Sequence, residues 1–179
     1  EASATDRQLP IYCVQRDQKM LAISFDAAWG NEDTQQLIDI LGKYNVKATF
    51  FVVGDWVDKY PESVKALHDA GHEVMNHSNS HAHMSQLSSE AIVADVEACN
   101  DKIEAVTGVR PTLIRPPYGE YDNNVITSIR SIGMEPIQWD VDSLDWKDLP
   151  AGEITERVVS RVQPGSIVLF HNAALHTPE

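Results

Sequence analysis

Much is scarce in this chain of 179 residues. It holds two cysteines, Cys13 and Cys99. Two can pair once, but they cannot frame a disulfide-held fold. Cys99 lies in an apolar stretch of helical spacing and reads more readily as a buried free thiol. No uninterrupted apolar run approaches the ~20 residues that span a bilayer. Basic residues are few: Lys and Arg number 14 against 27 Asp and Glu, a formal charge of −13. With no basic stretch to neutralise phosphates, this balance argues against nucleic acid and anionic membrane surfaces as partners. Internal repeats, low-complexity tracts and linkers are absent too. What is present is a hydrophobic fraction of 42%, enough to build a core. The length fits one domain.

Short apolar runs alternate with amphipathic segments. Six runs read as strands: Met20 to Phe25, Lys47 to Val53, His72 to Met75, Thr112 to Ile114, Glu135 to Trp139 and Ser166 to Phe170. Between them fall helices with recognisable ends. Thr34 can cap one through Leu41, and Pro61 suits the first position of one that Gly71 ends. Ser88 caps a long helix stopped by Gly108, and Asp122 one stopped by Gly133. Glu153 to Val162 forms the last. Strand and helix in alternation imply a parallel sheet. In such folds the carboxyl ends of the strands carry the site. The polar residues fall there: Asp26, His77 and His81, Arg115, Asp142 and Asp145, and His171.

Each of these groups has a bland reading beside a functional one. His77 and His81 are four apart, a spacing that converges two imidazoles on a divalent ion, though most such pairs are polar surface. Asp26, at the end of a buried strand, is a turn acid or a general base. Arg115-Pro116-Pro117-Tyr118-Gly119 is a stiff turn that can also aim an arginine and present backbone N–H groups. Asp142 to Trp146 is an acidic loop with an aromatic. His171 is a core histidine or a general acid. His83 confuses the choice of imidazoles, while His68 and His72 read as structural.

Taken in order, Phe25-Asp26, His77-Ser78-x-x-His81, Arg115 to Gly119, Asp142-x-x-Asp145-Trp146 and Leu169-x-His171 resemble the five motifs of the polysaccharide deacetylases. These are carbohydrate esterase family 4, the NodB homology domain. The likeness runs from about Lys19 to Pro178, and the form of Ser24 to Gly30 is most similar to the sporulation-associated branch. The resemblance implies an α/β fold, a distorted (β/α) barrel of the NodB type. It implies a divalent metal, zinc or cobalt, on His77 and His81. Asp26 would be the base that deprotonates water, Arg115 would orient it, and the Tyr118 N–H would meet the oxyanion. His171 would protonate the leaving amine, with Asp145 fixing its tautomer. Trp146 and Leu169 would line an acetyl pocket. The substrate would be an N-acetylglucosamine-containing glycan, peptidoglycan or chitin-like, in a secreted or cell-envelope setting with any leader or anchor absent from the chain.

One residue departs from the pattern. The family carries a second aspartate as third metal ligand where this chain has Ala27. Asp26 could become that ligand, Glu32 or Asp33 could reach in, or the site could be poor in metal. The last outcome defines a competing function: a silent relative that grips glycan through Trp29, Tyr118, Tyr121 and Trp146. An unrelated metal hydrolase on a TIM barrel would need a different ligand set, the usual His-x-His pair at a strand end, which the chain does not supply. Residues 1–18 read as an N-terminal extension and 19–179 as the NodB-like domain. Thr177-Pro178-Glu179 reads as the start of a helix, so a final helix and strand are expected to be missing. The sheet edge beside Ser166 to Phe170 would then lie open, to be covered by a swapped or separate chain.

Overall fold

Each central strand is apolar on both faces, and the fold uses both. Phe50 and Val52 pack with Phe25 and Val74 beneath helix residues such as Leu37, Leu67 and Ile103. Phe51, Met75, Ile137 and Ile167 fill the opposite face. The computed structural model describes residues 6–179. The expectations for Glu1 to Thr5, including the first part of the 1–18 extension, lie outside the described residues.

The strands are β1 (Ala22–Ala27), β2 (Thr49–Val52), β3 (Glu73–Asn76), β4 (Leu113–Ile114), β5 (Glu135–Pro136), β6 (Val141–Asp142) and β7 (Ile167–His171). They form one parallel sheet in the order β5-β4-β3-β2-β1-β7-β6. The helices are α1 (Thr34–Lys43), α2 (Gly54–Lys59), α3 (Pro61–Asp69), α4 (Ser89–Thr107), α5 (Asn123–Ser131) and α6 (Ala151–Arg161). This is the curled sheet of a distorted, NodB-type (β/α) barrel. Two elements carry no sequence signal. Strand β6 is two residues long, too short for a periodic pattern. Helix α2 starts after Val53, which has no side chain able to cap it.

The expected caps hold at α4 and α5. Ser88 accepts from the N–H of Ala91, and Asp122 from that of Val125. Gly108 takes the left-handed conformation that ends α4. Thr34 is different: it lies inside α1, and Asp33 precedes the helix without capping it. The Asp33 carboxylate is engaged elsewhere, accepting the N–H of Ala173 at 2.9 Å.

The edges of the sheet are β5 and β6, and only residues 137–140 separate them. Five Cα steps span at most about 17 Å, so the sheet must curl until its edges approach. The N-terminal segment lies along this seam. Ile11 pairs with Ile137, and Cys13 bridges to Ser166. The open edge expected beside Ser166 to Phe170 is therefore absent. Strand β7 sits between β1 and β6, and Cys13 covers its start. The expected second chain loses its reason, because the edge is paired within this one. Thr177-Pro178-Glu179 is not helical. The Thr177 hydroxyl donates to Asp145 at 2.7 Å instead. Both cysteines are free, Cys13 exposed and Cys99 buried. Burial pushes the Cys99 thiol up to about 12, which makes it an inert core group. Among the described residues no helix is long and apolar enough to cross a membrane.

Candidate active site

Parallel register brings the titratable groups to one rim. Asp26 of β1 lies opposite His171 of β7. His77 follows the last residue of β3, and Arg115 follows β4. Asp26, His77, His81, Tyr118, Trp146 and His171 line a single cleft of about 440 Å³. Trp29 and Leu169 line it as well, with Trp139 and Asp142, which the motif roles left out. Trp139 had no sequence signal beyond ending an apolar run.

Two expected site residues are not in the cleft wall. Arg115 is fully buried behind it. One guanidinium nitrogen donates to Asp26 Oδ1 at 2.8 Å. The other donates to Ser24 Oγ at 2.9 Å and to the Gln138 carbonyl at 3.0 Å. The guanidinium also lies 4.3 Å from the centre of the Phe51 ring. Asp145 is fully buried too. Its carboxylate accepts the His171 backbone N–H at 2.6 Å and pairs with His171 Nδ1 at 2.9 Å. Arg115 and Asp145 therefore meet the cleft only through their partners, Asp26 and His171.

These contacts set the protonation states. Burial alone would raise the Asp26 pKa, but the charges of His77, Arg115 and His171 outweigh it and hold the carboxyl below its usual range. Asp26 is thus an anion, with Oδ1 committed to Arg115. Its Oδ2 lies 3.5 Å from His77 Nε2. Burial likewise works against a charged His171. The hydrogen bond to Asp145 and the charges of Asp26, Asp145 and Asp142 prevail, so its pKa is raised. Burial lowers His77 and takes His81 down to about 4.

The tautomer of His77 follows from its partner. Its Nδ1 lies 2.6 Å from the Arg115 carbonyl, which can only accept. The proton therefore sits on Nδ1, and the Nε2 lone pair is free. The His77 and His81 ring centres are 5.0 Å apart. His81 is not on a helix. It occupies a loop at φ 57°, and Tyr118, 4.5 Å from it between ring centres, sits at φ 64°. Left-handed backbone costs a non-glycine residue roughly 1–2 kcal/mol, and such strain gathers where a site must be shaped. His83, the ambiguous third imidazole, stacks on Tyr118 and does not line the cleft.

Glu32, Asp33 and Tyr121 also lie outside the cleft lining. The Tyr121 hydroxyl pairs with that of Tyr12, which removes it from any glycan grip. Ala27 is fully buried within the core, with no donor to offer.

The parallel sheet thus brings paired imidazoles, a buried Arg-held carboxylate and a His–Asp pair to one strand-end cleft. The polysaccharide deacetylase family model matches residues 14–137, and the chain belongs to that family. It is 36% identical over 162 residues to the uncharacterized protein YlxY of Bacillus subtilis, covering 90% of this chain and 51% of that protein. It is 38% identical over 159 residues to the peptidoglycan-N-acetylmuramic acid deacetylase PdaC of the same organism, covering 89% and 33%. The chain thus spans about half the length, or less, of these curated relatives. Among solved structures, BA3943 of Bacillus anthracis superposes with a TM-score of 0.89 at 36% identity, covering 95% of this chain and 59% of that one. It is described as a CE4 family pseudoenzyme, and a mutant of it as having restored enzymatic activity.

Deacetylases of this family generally depend on a divalent metal. The residues here meet that need in part. The free Nε2 of His77 is a ready ligand. The Nδ1 of His81 is buried without a hydrogen-bond partner. Asp26 Oδ2 is the carboxylate oxygen beside His77. Yet among the described residues no group of three or more His, Cys, Asp and Glu is arranged to hold an ion. A catalytic zinc ordinarily takes three protein ligands, so the donor set is one short.

Proposed function

We propose that this chain removes N-acetyl groups from N-acetylglucosamine-containing glycans of the cell envelope, peptidoglycan before chitin-like polymers. The observation that carries the reading is the pair of opposed, separately supported proton-transfer groups, Asp26 on Arg115 and His171 on Asp145, facing one cleft. Amide hydrolysis needs both, because water must lose a proton as it attacks and the amine must gain one as it leaves.

In this scheme Asp26 Oδ2 accepts the proton of the attacking water while Arg115 keeps the carboxylate oriented. The water oxygen bonds to the acetyl carbon. The backbone N–H of Tyr118 meets the negative charge that develops on the carbonyl oxygen. His171, charged because of Asp145, gives its proton to the amide nitrogen. The carbon–nitrogen bond then breaks, leaving acetate and a free amine on the sugar. Leu169, Trp139 and Trp146 exclude water from around the acetyl methyl. A zinc or cobalt ion would be held by His77 and His81 alone while Asp26 serves as the base, and would supply a lower pKa for water and polarisation of the carbonyl.

Acetate release from peptidoglycan and from N-acetylglucosamine oligomers, with zinc or cobalt supplied, tests this reading. Release that disappears in His171→Ala supports it. No release under conditions where a related deacetylase works would overturn it. A second reading follows from Ala27: a silent relative that holds glycan through Trp29, Tyr118 and Trp146. Glycan affinity that survives His77→Ala with His81→Ala, without turnover before or after, would favour that one.

A further inference from the structure

The turn after Arg115 needs support to hold its shape. Tyr118 and Gly119 both take left-handed backbone, at φ 64° and 65°. Glycine does so freely, and nothing larger fits there, because a Cβ on Gly119 would lie 2.8 Å from the Trp139 ring. Tyrosine does so at a cost, and only surroundings that over-determine the conformation keep it there. Two residues far apart in sequence supply those surroundings.

The first is Gln138. It is buried, and its side-chain Nε2 donates to the Gly119 carbonyl at 3.1 Å. Its backbone is fixed as well. The N–H donates to the Ile11 carbonyl at 2.7 Å, and the carbonyl accepts from Arg115 at 3.0 Å. The second is His83. Its ring lies flat on that of Tyr118, with 4.2 Å between centres and 3° between planes. Its Nδ1 is 3.1 Å from Glu120 Oε2, and Ser85 donates to the other oxygen of that carboxylate. The stacked imidazole is thus itself held in place.

We infer that Gln138 and His83 are positioning residues that clamp the Tyr118 turn from two sides, Gln138 through the Gly119 carbonyl and His83 through the Tyr118 ring. Neither lines the cleft, so each acts through the turn. The chemical consequence rests on the reading above: the Tyr118 N–H meets the developing oxyanion only while the turn stays left-handed. A donor aimed in advance needs no reorganisation at the moment of reaction.

Proton NMR of the free protein tests the clamp without any need for turnover. The amide and α protons of Tyr118 lie closest together in left-handed backbone, so the Overhauser effect between them reads the turn. The strain at Tyr118 is of the same order as one hydrogen bond or one stack. In Gln138→Met, which keeps the length and removes the donor, the effect should therefore fall by roughly half. His83→Ala, at an exposed position, should lower it similarly. His83→Phe should restore it, because a phenyl ring rebuilds the stack. The amide signals of α3 should stay in place throughout, since a residue of merely structural worth lowers stability without reshaping the folded state. A full Overhauser effect in Gln138→Met or in His83→Ala overturns the clamp, as does no recovery in His83→Phe. Acetate release is read separately. A turn released in both variants, with no acetate from the unaltered protein, leaves the clamp standing and removes the hydrolase reading. Acetate from a protein whose turn is unmoved by either variant does the reverse.

Discussion

The two sides of the cleft are built to different standards. On the side of Asp26 and His171 the charged groups are paired: Arg115 donates to Asp26, Ser24 and Gln138 with only its Nε unpartnered, and Asp145 accepts from His171 and Thr177. On the imidazole side His81 Nδ1 is buried and unpartnered, and among the described residues no third carboxylate, cysteine or histidine completes a set for an ion. Buried polar groups are ordinarily satisfied, and an unpartnered imidazole nitrogen, unlike the N–H of a guanidinium, has a lone pair that can take an ion. The difference teaches that the acid–base apparatus and the ion-holding apparatus are separable. One can be complete while the other is a ligand short.

The sharpest way to break the comparison is to unbalance the complete side. Arg115→Ala would leave Asp26 as a buried anion beside a void. Removing one partner of a buried pair costs about 3–5 kcal/mol, so denaturant unfolding should show a loss of that order. A loss below about 1 kcal/mol would mean that Asp26 is far better solvated than its burial indicates. Asp145→Asn comes next. It should reduce any acetate release by roughly a hundredfold, the lower end of what a general acid contributes.

The sign of its pH effect follows from the raised pKa of His171. The charged imidazole is favoured in the fold, so this contact adds stability in full below the ordinary histidine value of about 6.5. That stability is lost as pH rises through the raised folded value. In Asp145→Asn the His171 pKa should move down, and the difference in stability from the unaltered protein should shrink as pH rises. Proton NMR titration of the His171 ring reads the shift without any need for turnover.

A smaller change would complete the weak side. Ala27→Asp adds a carboxylate at the place where the family carries a ligand. Without metal the variant should be less stable, because the new group is buried. With zinc it should bind about tenfold more tightly than the unaltered chain, by calorimetry, and its melting temperature should rise with zinc concentration. Equal zinc affinity in both proteins would show that position 27 does not face the imidazoles and that the two sides differ for another reason.

How much of this was legible beforehand depends on the kind of signal. The strands from β1 to β4 and β7 announced themselves because they are buried on both faces. Helix α4 did so because Ser88 and Gly108 are side-chain and backbone signals of local origin. Asp26 and His171 could be placed together because both end apolar runs that a parallel sheet aligns. What escaped depends on distance in sequence. Nothing local says that Ser24 and Gln138 share one guanidinium, or that residues 11–13 lie in the seam between β5 and β6. The left-handed backbone at His81 and Tyr118 escaped too, since neither residue type favours it. Thr34 misled because a hydroxyl before an apolar-periodic run looks the same in sequence whether it caps the helix or lies inside it.

The smallest expected effect probes whether the complete side is over-determined. Asp145 Oδ2 accepts both the His171 backbone N–H and the Thr177 hydroxyl, while Oδ1 holds His171 Nδ1. Thr177→Val keeps the shape of the side chain and deletes one of these three bonds. Thr177 is only half-buried, so water can approach the vacated acceptor, and the cost should be about 1 kcal/mol rather than the full penalty of a dry, unmet charge. The remaining two bonds still fix the carboxylate in the plane of the imidazole. The His171 titration should therefore stay close to that of the unaltered protein. A His171 pKa that falls as far as in Asp145→Asn would show that the hydroxyl, and not the backbone N–H, aims the carboxylate. The proton-transfer side would then hang on a single flexible contact, and the contrast with the imidazole side would be one of degree.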